Sequence, residues 1–486
     1  MLRTGEQYRD SIRDGRRIWI DGERVQDVTQ HPAFKPMIDV RSRIYDMQHE
    51  AATRETMVTR DRDGDEVPVG LALPWTQDDL RAKRRAVNAV LDDVGGVVSR
   101  VGDETIGEMW SLHDGLDVIK GIDSNYADNI EPHIQRILKQ DLFHVSANTD
   151  PKGDRSKRPQ DQDPDMLLHV VRETDAGIIV RGAKYETAAA YANQAFVKPT
   201  IANWGDAKLS EYAVGFISDF SAPNMRFICR SGFAGRGSLE DYPLSNRFDE
   251  VDTLVIYDDV LVPWENVLFN KHTAAAGFIR NTLHRYAAFP FLQRLERYAD
   301  MLIGAALLNV RQTGLEKQQA VQEKLTQLAC YRETINAHLT ASISEAQTSP
   351  SGLCMHNQSL IYAGRMFGCG QLPHMMHLAR ELCGGQICVT PSASAFEDPE
   401  TADWLKKYYS VNANWQASDR RRLLAFARDL LNSDYAGHRL TFHLFAQSPP
   451  YAQSGAVYRN FDWEHSAAIV EKAARLSPAI HGTQGL

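Results

Sequence analysis

Residues 248–268 read FDEVDTLVIYDDVLVPWENVL, and this stretch decides how the chain is divided. Most of it is β-branched or apolar, which is typical of a strand, and Pro263 suits a strand's end because proline cannot donate a ladder hydrogen bond. We expect Asp258 and Asp259 to lie at the exit of the strand, where water or helix N-termini satisfy them. A metal-binding carboxylate pair is the less favoured interpretation.

The hydrophobic pattern changes its period on both sides of this strand. Short β-branched runs over residues 166–268 are separated by turn residues and predict a small antiparallel sheet or barrel. Before them the apolar spacing is helical, and Thr76 with Asp79 three residues later predicts a capped helix running toward Gly95. After Asn270 the helical period returns.

The sequence therefore predicts an α+β fold, mostly α, in three regions. Residues 1–150 form a helical domain, residues 151–270 a central β-barrel domain and residues 271–486 a helical bundle. Residues 147–165 contain three prolines and many charges, which predicts a loop or linker between the first two regions.

Composition excludes several classes of function. Lysine and arginine number 54 against 63 acidic residues, and a net charge of −9 argues against a protein that mainly grips nucleic acid. The charged N-terminus predicts no secretory signal, and the apolar run over residues 301–310 is too short to span a bilayer. Six cysteines without a C-x-x-C pair favour a reducing cytoplasm.

Most familiar catalytic motifs are missing from the sequence. It contains no phosphate-binding G-x-x-x-x-G-K-[ST] loop, no H-E-x-x-H and no G-x-S-x-G elbow. His374 and His377 are better interpreted as an interior or interface pair than as metal ligands. Cys383 and Cys388 are better interpreted as small buried hydrophobes than as cluster ligands, so we predict no metal site.

Three places look too specialised to serve the core alone. Arg100, in GGVVSRVGDE, follows a predicted helix end and can aim a guanidinium at an anionic ligand. Residues 141–155, DLFHVSANTDPKGDR, offer Lys152, Arg155 and backbone amides to a diphosphate. Adjacent glycines in residues 382–392, LCGGQICVTPS, allow close approach by a ligand or another subunit. A surface arginine, a solvated linker and a helix cap are the plainer interpretations.

Blocks of sequence along the chain resemble the large oxygenase component of the 4-hydroxyphenylacetate 3-hydroxylase family, which includes chlorophenol monooxygenases. The blocks are the opening MLRTGEQYRDSIRDGRRIWIDGERVQDVTQHP, then IYDMQHE, TDPKGDR, GIIVRGAK, ICRSGF, DYPLS and VDTLVIYDDVLVPWENV. The resemblance covers nearly the whole chain, and several blocks in the right order are more specific than any one of them.

The resemblance implies an acyl-CoA dehydrogenase-like fold whose C-terminal bundle assembles a homotetramer. It implies FAD, bound as FADH2 and supplied by a separate NAD(P)H-dependent flavin reductase, with O2 as co-substrate. Family members keep a flavin hydroperoxide dry and hydroxylate a phenol ortho to its hydroxyl. We therefore expect a cytoplasmic FADH2-dependent aromatic monooxygenase whose partners include a small aromatic substrate but neither nucleic acid nor membrane.

The resemblance also assigns roles to single residues. Arg100 matches the position whose cation favours the phenolate form of the substrate, and Ser146 and His144 are the other catalytic candidates. The substrate-binding candidates are Arg100, Glu104, Ser146, Thr200 and Phe289. The cofactor-binding candidates are Lys152, Gly153, Asp154, Arg155, Thr187, Thr200, Gly384, Gly385, Ser448, Pro449 and Tyr451.

The chain departs from the family pattern at several of these positions. Glu104 stands where 4-hydroxyphenylacetate enzymes carry a tyrosine, and Ser146 where they carry a histidine. Phe289 stands near the place where some chlorophenol enzymes carry a histidine, for which His284 is the nearest candidate here. The late flavin segment has Gln-Ser-Pro at residues 447–449 in place of Gly-Asp-Pro. The substrate therefore stays open, while the flavin is better supported.

Two alternatives remain at this point. One is a flavin-dependent dehydrogenase or dehydratase of the same fold acting on an acyl-CoA. The related 4-hydroxybutyryl-CoA dehydratases need cysteines for an iron–sulfur cluster in the N-terminal half, and this chain has none before Cys229. The other is a flavin-binding protein without turnover, because the family's tyrosine and histidine are missing.

Overall fold

Helices precede and follow a central β region in the computed structural model, which describes residues 2–97, 101, 103–199, 206–446 and 449–474. The helices before the β region are α1 (Gly5–Ser11), α2 (Lys35–Asp46), α3 (Arg54–Met57), α4 (Gln77–Val94), α5 (Asp103–Asp114), α6 (Leu116–Ile122), α7 (Ser124–Ala127) and α8 (Ile130–Gln140). The helices after it are α9 (Thr273–Thr282), α10 (Ala288–Gln312), α11 (Gln319–Ser344), α12 (Gln358–Cys383), α13 (Gln386–Val389), α14 (Ala393–Glu397), α15 (Ala402–Tyr409), α16 (Ala417–Asn432), α17 (Asp434–Phe445), α18 (Pro450–Asn460) and α19 (Trp463–Ala474). The predicted fold class, α+β with a majority of helix, is confirmed.

The strands form two large sheets and two short hairpins. They are β1 (Ile18–Ile20), β2 (Glu23–Val25), β3 (Val58–Arg60), β4 (Glu66–Pro68), β5 (His144–Ala147), β6 (His169–Thr174), β7 (Gly177–Thr187), β8 (Gln194–Val197), β9 (Val214–Asp219), β10 (Met225–Cys229), β11 (Asp252–Pro263), β12 (Val267–Asn270), β13 (Gln347–Thr348) and β14 (Cys354–Met355). One sheet has the order β2-β1-β10-β11-β7-β6 and the other β12-β9-β8-β5. Most pairs are antiparallel, but β1 pairs with β10 and β5 with β8 in parallel.

The strand quoted at the outset does end at Pro263, as predicted, but its two aspartates lie elsewhere than expected. Asp258 and Asp259 occupy a bulge inside β11, where the register against β7 shifts between Tyr257 and Val260. Asp259 has a φ of 57° and accepts two 2.8 Å hydrogen bonds from Arg181. The prediction that the pair lies at the strand's exit is wrong, because a bulge accommodates extra residues within a continuous strand.

Local capping signals explain where α4 begins and ends. Thr76 accepts a hydrogen bond from the backbone of Asp79 while the Asp79 side chain accepts from the Thr76 backbone, which closes the predicted capping box. Gly95 ends the helix with a φ of 70°, a left-handed conformation that glycine adopts without steric cost. Both predictions for this helix are confirmed.

The C-terminal bundle buries its apolar stripes between long helices. In α11 an apolar stripe is buried at Leu328, Ile335 and Leu339, and the helix packs against α10 and α12. None of the helices in the described ranges combines the length and the apolar character needed to cross a bilayer.

We predict opposite effects of alanine at two glycines. Gly95→Ala is expected to lower the free energy of unfolding by about 1–2 kcal/mol, because a Cβ is strained in the left-handed region. Gly121→Ala, in α6 with nothing within 4 Å of the new Cβ, is expected to raise it by about 0.5–1 kcal/mol. Urea denaturation of both variants checks the pair, and equal shifts would contradict the capping role.

Candidate active site

The candidate active site is built where the parallel strands β5 and β8 end beside α5. In the register of this pair His144 lies opposite Gln194 and Ser146 opposite Phe196. Side chains two residues apart in a strand point to the same face, so the two predicted catalytic residues share one side of the sheet. Both are buried. The parallel pairing brings the residue after β8, Lys198, next to the end of β5.

Four polar side chains at this point hydrogen-bond to one another, and we call them the Glu108 cluster: Glu108, Ser146, Asn148 and Lys198. The Lys198 ammonium donates to the Glu108 carboxylate, to Asn148 Oδ1 and, over 2.8 Å, to Ser146 Oγ. Ser146 Oγ donates to Glu108 Oε2, and Asn148 Nδ2 donates to Glu108 Oε1 over 2.9 Å. The serine hydroxyl therefore lies between an ammonium and a carboxylate.

Burial controls the electrostatics of the Glu108 cluster. The side chains of Lys198 and Glu108 are only 1% and 3% exposed. Burial lowers the pKa of Lys198 to about 8, and the nearby Glu108 carboxylate opposes that change. Burial also raises the pKa of Glu108, with Lys198 acting in the opposite direction. Both shifts bring the two groups closer to exchanging a proton, which is a common property of catalytic acid–base pairs.

Two histidines border the Glu108 cluster. His144 Nδ1 lies 3.2 Å from Gln194 Nε2, and His284 Nδ1 lies 3.7 Å from Glu108 Oε1. Burial lowers the pKa of each imidazole to about 3, and the positive charge of Lys198 contributes to both shifts. His144 Nε2 and His284 Nδ1 are buried without a hydrogen-bond partner among the described residues. Two neutral imidazoles thus present polar atoms that a bound molecule can satisfy.

Phe289, a predicted substrate-binding residue, lies at the start of α10 and is buried. Its ring stacks on that of His356, with centroids 4.1 Å apart and an interplanar angle of 14°. Both ring nitrogens of His356 are buried without a partner in the described part of the chain. The substrate-binding role of Phe289 stays a prediction, now with His356 as its direct neighbour.

The predicted flavin loop is exposed but anchored at its root. Its residues Lys152, Gly153, Asp154 and Arg155 are all exposed. The loop follows Asp150, whose carboxylate accepts a hydrogen bond from the buried Lys184. Lys184 also donates to the backbone carbonyl of Lys198 over 2.7 Å. One ammonium therefore ties the root of the loop to the Glu108 cluster.

The other predicted cofactor residues are distributed over the surface. Thr187 ends β7 and donates to Asp252 over 2.6 Å. Gly384 and Gly385 join α12 to α13, and a Cβ at either would meet nothing within 4 Å. Pro449 caps α18, on which Tyr451 is 69% exposed. Their roles stay predictions.

Four predicted site residues cannot be placed by their side chains. Arg100, Thr200 and Ser448 lie outside the described residues, and the side chain of Glu104 does too. The predicted roles of these four residues stay predictions.

Sequence reasoning missed Glu108, Asn148 in its pairing role and Lys198. Glu108 belongs to a helix with several acidic residues, and a glutamate in such a helix is most often exposed. Lys198 directly follows the apolar strand β8, which was the available signal. A lysine adjoining a fully buried strand has few routes to solvent, so it needs a partner.

Family models match the chain over almost its whole length. The model for the N-terminal part of 4-hydroxyphenylacetate 3-hydroxylase matches residues 4–269, and the model for its C-terminal part matches residues 275–475. The chain belongs to the 4-hydroxyphenylacetate 3-hydroxylase family. The resemblance seen in the sequence is thereby confirmed.

Individual relatives are similar over most of their length. The oxygenase component of 4-hydroxyphenylacetate 3-monooxygenase from Thermus thermophilus is 27% identical over 474 residues, covering 96% of this chain and 95% of that protein. The oxygenase component of 4-nitrophenol 2-monooxygenase from a Rhodococcus species is 30% identical over 447 residues, covering 89% and 84%.

Solved structures share the fold. A crystal structure of the oxygenase component of 4-hydroxyphenylacetate 3-monooxygenase complexed with FAD has a TM-score of 0.88 at 25% identity, covering 97% of this chain and 99% of that one. An archaeal 4-hydroxybutyryl-CoA dehydratase from N. maritimus has a TM-score of 0.89 at 23% identity, covering 98% and 96%. The second likeness concerns the fold alone.

We predict that the buried ion pair is a coupled unit. Lys198→Met is expected to lower the free energy of unfolding by about 3–5 kcal/mol, because it leaves the Glu108 carboxylate buried without its cation. The double variant Glu108→Gln/Lys198→Met is expected to be more stable than Lys198→Met alone, since no buried charge is left unpaired. Urea denaturation measures both, and strictly additive losses would contradict the pairing.

Proposed function

We propose that this chain is the oxygenase component of a two-component monooxygenase that uses FADH2 and O2 to hydroxylate a phenol ortho to its hydroxyl. Membership of the family supports the reaction class, and relatives named for 4-hydroxyphenylacetate and 4-nitrophenol support a phenolic ring. The observation that carries the proposal is the buried polar Glu108 cluster, which contains the predicted catalytic residue Ser146.

Two features of the described residues support binding of a flavin dinucleotide. Lys152 and Arg155 present two exposed cations on one loop, which suits a diphosphate. Gly384 has a φ of 73° and open space where a Cβ would stand, so a ligand can approach its backbone. The reduced flavin, when bound, supplies the electrons that activate O2. The loop, Thr187 and the α12–α13 joint would hold it, together with residues 448–451.

The chain's own residues bind the phenol and keep water out. Ser146 Oγ is hydrogen-bonded to both members of the ion pair, which supports it as the group that binds the phenolic oxygen. Arg100, by its family position, supplies a fixed cation that favours the phenolate, the form in which the ring attacks an electrophilic oxygen best. The burial of His144 and Phe289 limits access of water to this side of the site.

The two alternatives have less support. The dehydratase of the same fold is similar to this chain at 23% identity, which concerns architecture and leaves the acyl-CoA reaction without a supporting observation. A flavin-binding protein without turnover would have no need of a buried acid, lysine and serine in mutual contact, since such a set is costly to bury. A phenol hydroxylase accounts for it.

The proposal includes partners. As an oxygenase component, the chain depends on a separate NAD(P)H-dependent flavin reductase for its reduced flavin, and both proteins would share the cytoplasm. We also propose a homotetramer assembled through the C-terminal helices. Several large apolar side chains on α15, α18 and α19 are exposed, and solvent is an unfavourable environment for them. They are Trp404, Tyr408, Tyr458, Trp463, Ile469 and Val470.

We predict that the purified chain binds FADH2 more tightly than oxidised FAD. The double variant Lys152→Ala/Arg155→Ala is expected to weaken FADH2 binding by about tenfold or more, because two charge-assisted contacts to the diphosphate are lost. Anaerobic fluorescence titration gives both dissociation constants.

The matched control for the loop variant is Lys35→Ala, an exposed lysine on α2 that pairs with Asp39. It removes positive charge without touching the loop and is expected to bind FADH2 as the wild type does. Tight binding of oxidised FAD that bleaches on addition of an acyl-CoA would instead favour the dehydrogenase alternative.

We predict that Arg100→Ala uncouples the reaction. Flavin binding is expected to stay intact. The yield of hydroxylated product per FADH2 consumed is expected to fall by about tenfold or more, because a charge-assisted contact to the phenolic oxygen is worth about 1.5–3 kcal/mol. The yield of hydrogen peroxide per FADH2 is expected to rise by the amount of product lost. Product and peroxide are measured in parallel over a panel of phenols. Arg226→Ala, an exposed arginine paired with Asp258, serves as control. Unchanged coupling would remove Arg100 from the mechanism.

A further inference from the structure

We infer that Glu108, acting through the hydroxyl of Ser146 and held in place by Lys198, is the base that removes the phenolic proton of the substrate. The inference rests on the proposed function, since it requires a phenol at Ser146. It assigns acid–base work to residues that no motif marks, and it gives a reason for serine at a position where the family has histidine.

The hydrogen bonds around Ser146 Oγ already have the direction that a proton relay needs. The hydroxyl accepts a hydrogen bond from Lys198 Nζ over 2.8 Å, and both Glu108 Oε2 and Asn148 Oδ1 are within reach of its own proton. Asn148 Oδ1 already accepts from Lys198, and the charged carboxylate is the stronger acceptor, so the relay uses the donation to Glu108. A hydroxyl oxygen accepts through two lone pairs, and among the described residues Lys198 is the donor to Ser146 Oγ, so one acceptor position is left there for an incoming donor. A phenolic O–H is such a donor, and it would complete the shell of the oxygen.

The step balances without any further reactant. The phenolic O–H bond breaks and its proton joins Ser146 Oγ, while the proton that Ser146 held passes to Glu108 Oε2. The electron pair of the broken bond stays on the phenolic oxygen. The substrate becomes a phenolate, Glu108 a neutral carboxylic acid and Lys198 remains an ammonium. One negative charge has moved from the carboxylate to the phenolate, and the total charge of the site is unchanged.

The proton transfer is feasible in a buried site because the total charge of the site does not change. Creating a new charge there would carry the full cost of desolvation, whereas moving one that already exists does not. Lys198 can favour either anion because it lies beside both Glu108 and Ser146. Asn148 donates to Glu108 Oε1 over 2.9 Å and so fixes the carboxyl group that receives the proton.

The other titratable groups near Ser146 are poorer candidates for the base. His144 and His284 both border the Glu108 cluster, but burial lowers the pKa of each to about 3, so each imidazole is a weak base that does not retain a second proton near neutral pH. Lys184 faces the backbone of Lys198 and is engaged with Asp150. Among the described groups, the Glu108 carboxylate is the base in direct contact with Ser146.

The test uses a nitrophenol, whose phenolate absorbs visible light, as a reporter of proton removal in the full-length protein. Titration of the bound nitrophenol with pH is expected to show an ionisation shifted at least about tenfold in favour of phenolate relative to the free compound. Ser146→Ala and Glu108→Gln are each expected to lose that shift. The absorbance measures ionisation directly and requires no turnover.

A second measurement compares two phenols in turnover with FADH2 and O2. An alkylphenol ionises far less readily than a nitrophenol, so it depends more on an enzymic base. Ser146→Ala and Glu108→Gln are expected to reduce kcat for the alkylphenol at least about tenfold more than for the nitrophenol. A merely structural loss would reduce both alike, and Glu108→Asp is expected to recover part of the alkylphenol activity.

The controls are a buried serine and a buried acid elsewhere. Ser218 hydrogen-bonds to Tyr257, and Glu296 pairs with Arg84, so Ser218→Ala and Glu296→Gln report on comparable damage to packing. Neither is expected to change the ionisation of bound nitrophenol. If Glu108→Gln fails to fold, Ser146→Ala decides the outcome, because it leaves the ion pair in place.

The possible failures are distinguishable. If Ser146→Ala keeps the wild-type shift of the bound nitrophenol, or if the two phenols lose activity equally, the relay is overturned while the proposed function stays intact. A wild-type protein that hydroxylates no phenol in the panel overturns the proposed function itself.

Discussion

The site depends on one buried ion pair, between Glu108 of α5 and Lys198 at the end of β8. Withdrawing two charges from water costs several kcal/mol for each ion, and only close contact with further hydrogen bonds offsets that cost. Ser146 and Asn148 supply those bonds. Neither would be in range without the parallel pairing of β5 with β8, so the topology of a short strand pair decides whether the pair can form at all.

The same ion pair is connected to the loop that we propose binds the flavin. Lys184 reaches the carbonyl of Lys198 on one side and Asp150 on the other, and Asp150 stands at the root of the exposed loop over residues 152–155. The Glu108 cluster, where we propose that the substrate binds, is thus buried, whereas the loop proposed to bind the flavin is exposed and charged. Such a division suits an enzyme that receives its reduced flavin from solution and must then exclude that solvent from the ring.

Local signals in the sequence were sufficient for many elements and insufficient for the site. The capping box at Thr76, the glycine that ends α4 at Gly95 and the apolar stripe of α11 each depend on residues that are close together in the sequence. The Asp21-Gly22 turn between β1 and β2, with φ of 51° and 83°, carried an equally local hairpin signal that the helical interpretation of the first region overlooked.

Glu108 and Lys198 are far apart in the chain, and a single sequence holds no information about which distant charges meet. The bulge in β11 was missed for a related reason, because Asp258 and Asp259 find their arginines on neighbouring strands. The predictions for the flavin residues came from family resemblance and not from any local pattern.

The position of β1 has a consequence for how the molecule forms. This short strand near the N-terminus lies between β2 and β10 and pairs with residues 227 and 228, more than two hundred positions later. Closing so long a loop is entropically costly and slows folding. β1 leaves the ribosome long before β10, so it waits without this partner until residues 227 and 228 have been synthesised. Until the two strands then pair, this side of β10 is an open edge of the kind that aggregates. Residues 18–25 therefore join the sheet late in folding, and deleting them would leave β10 as an unpaired edge strand.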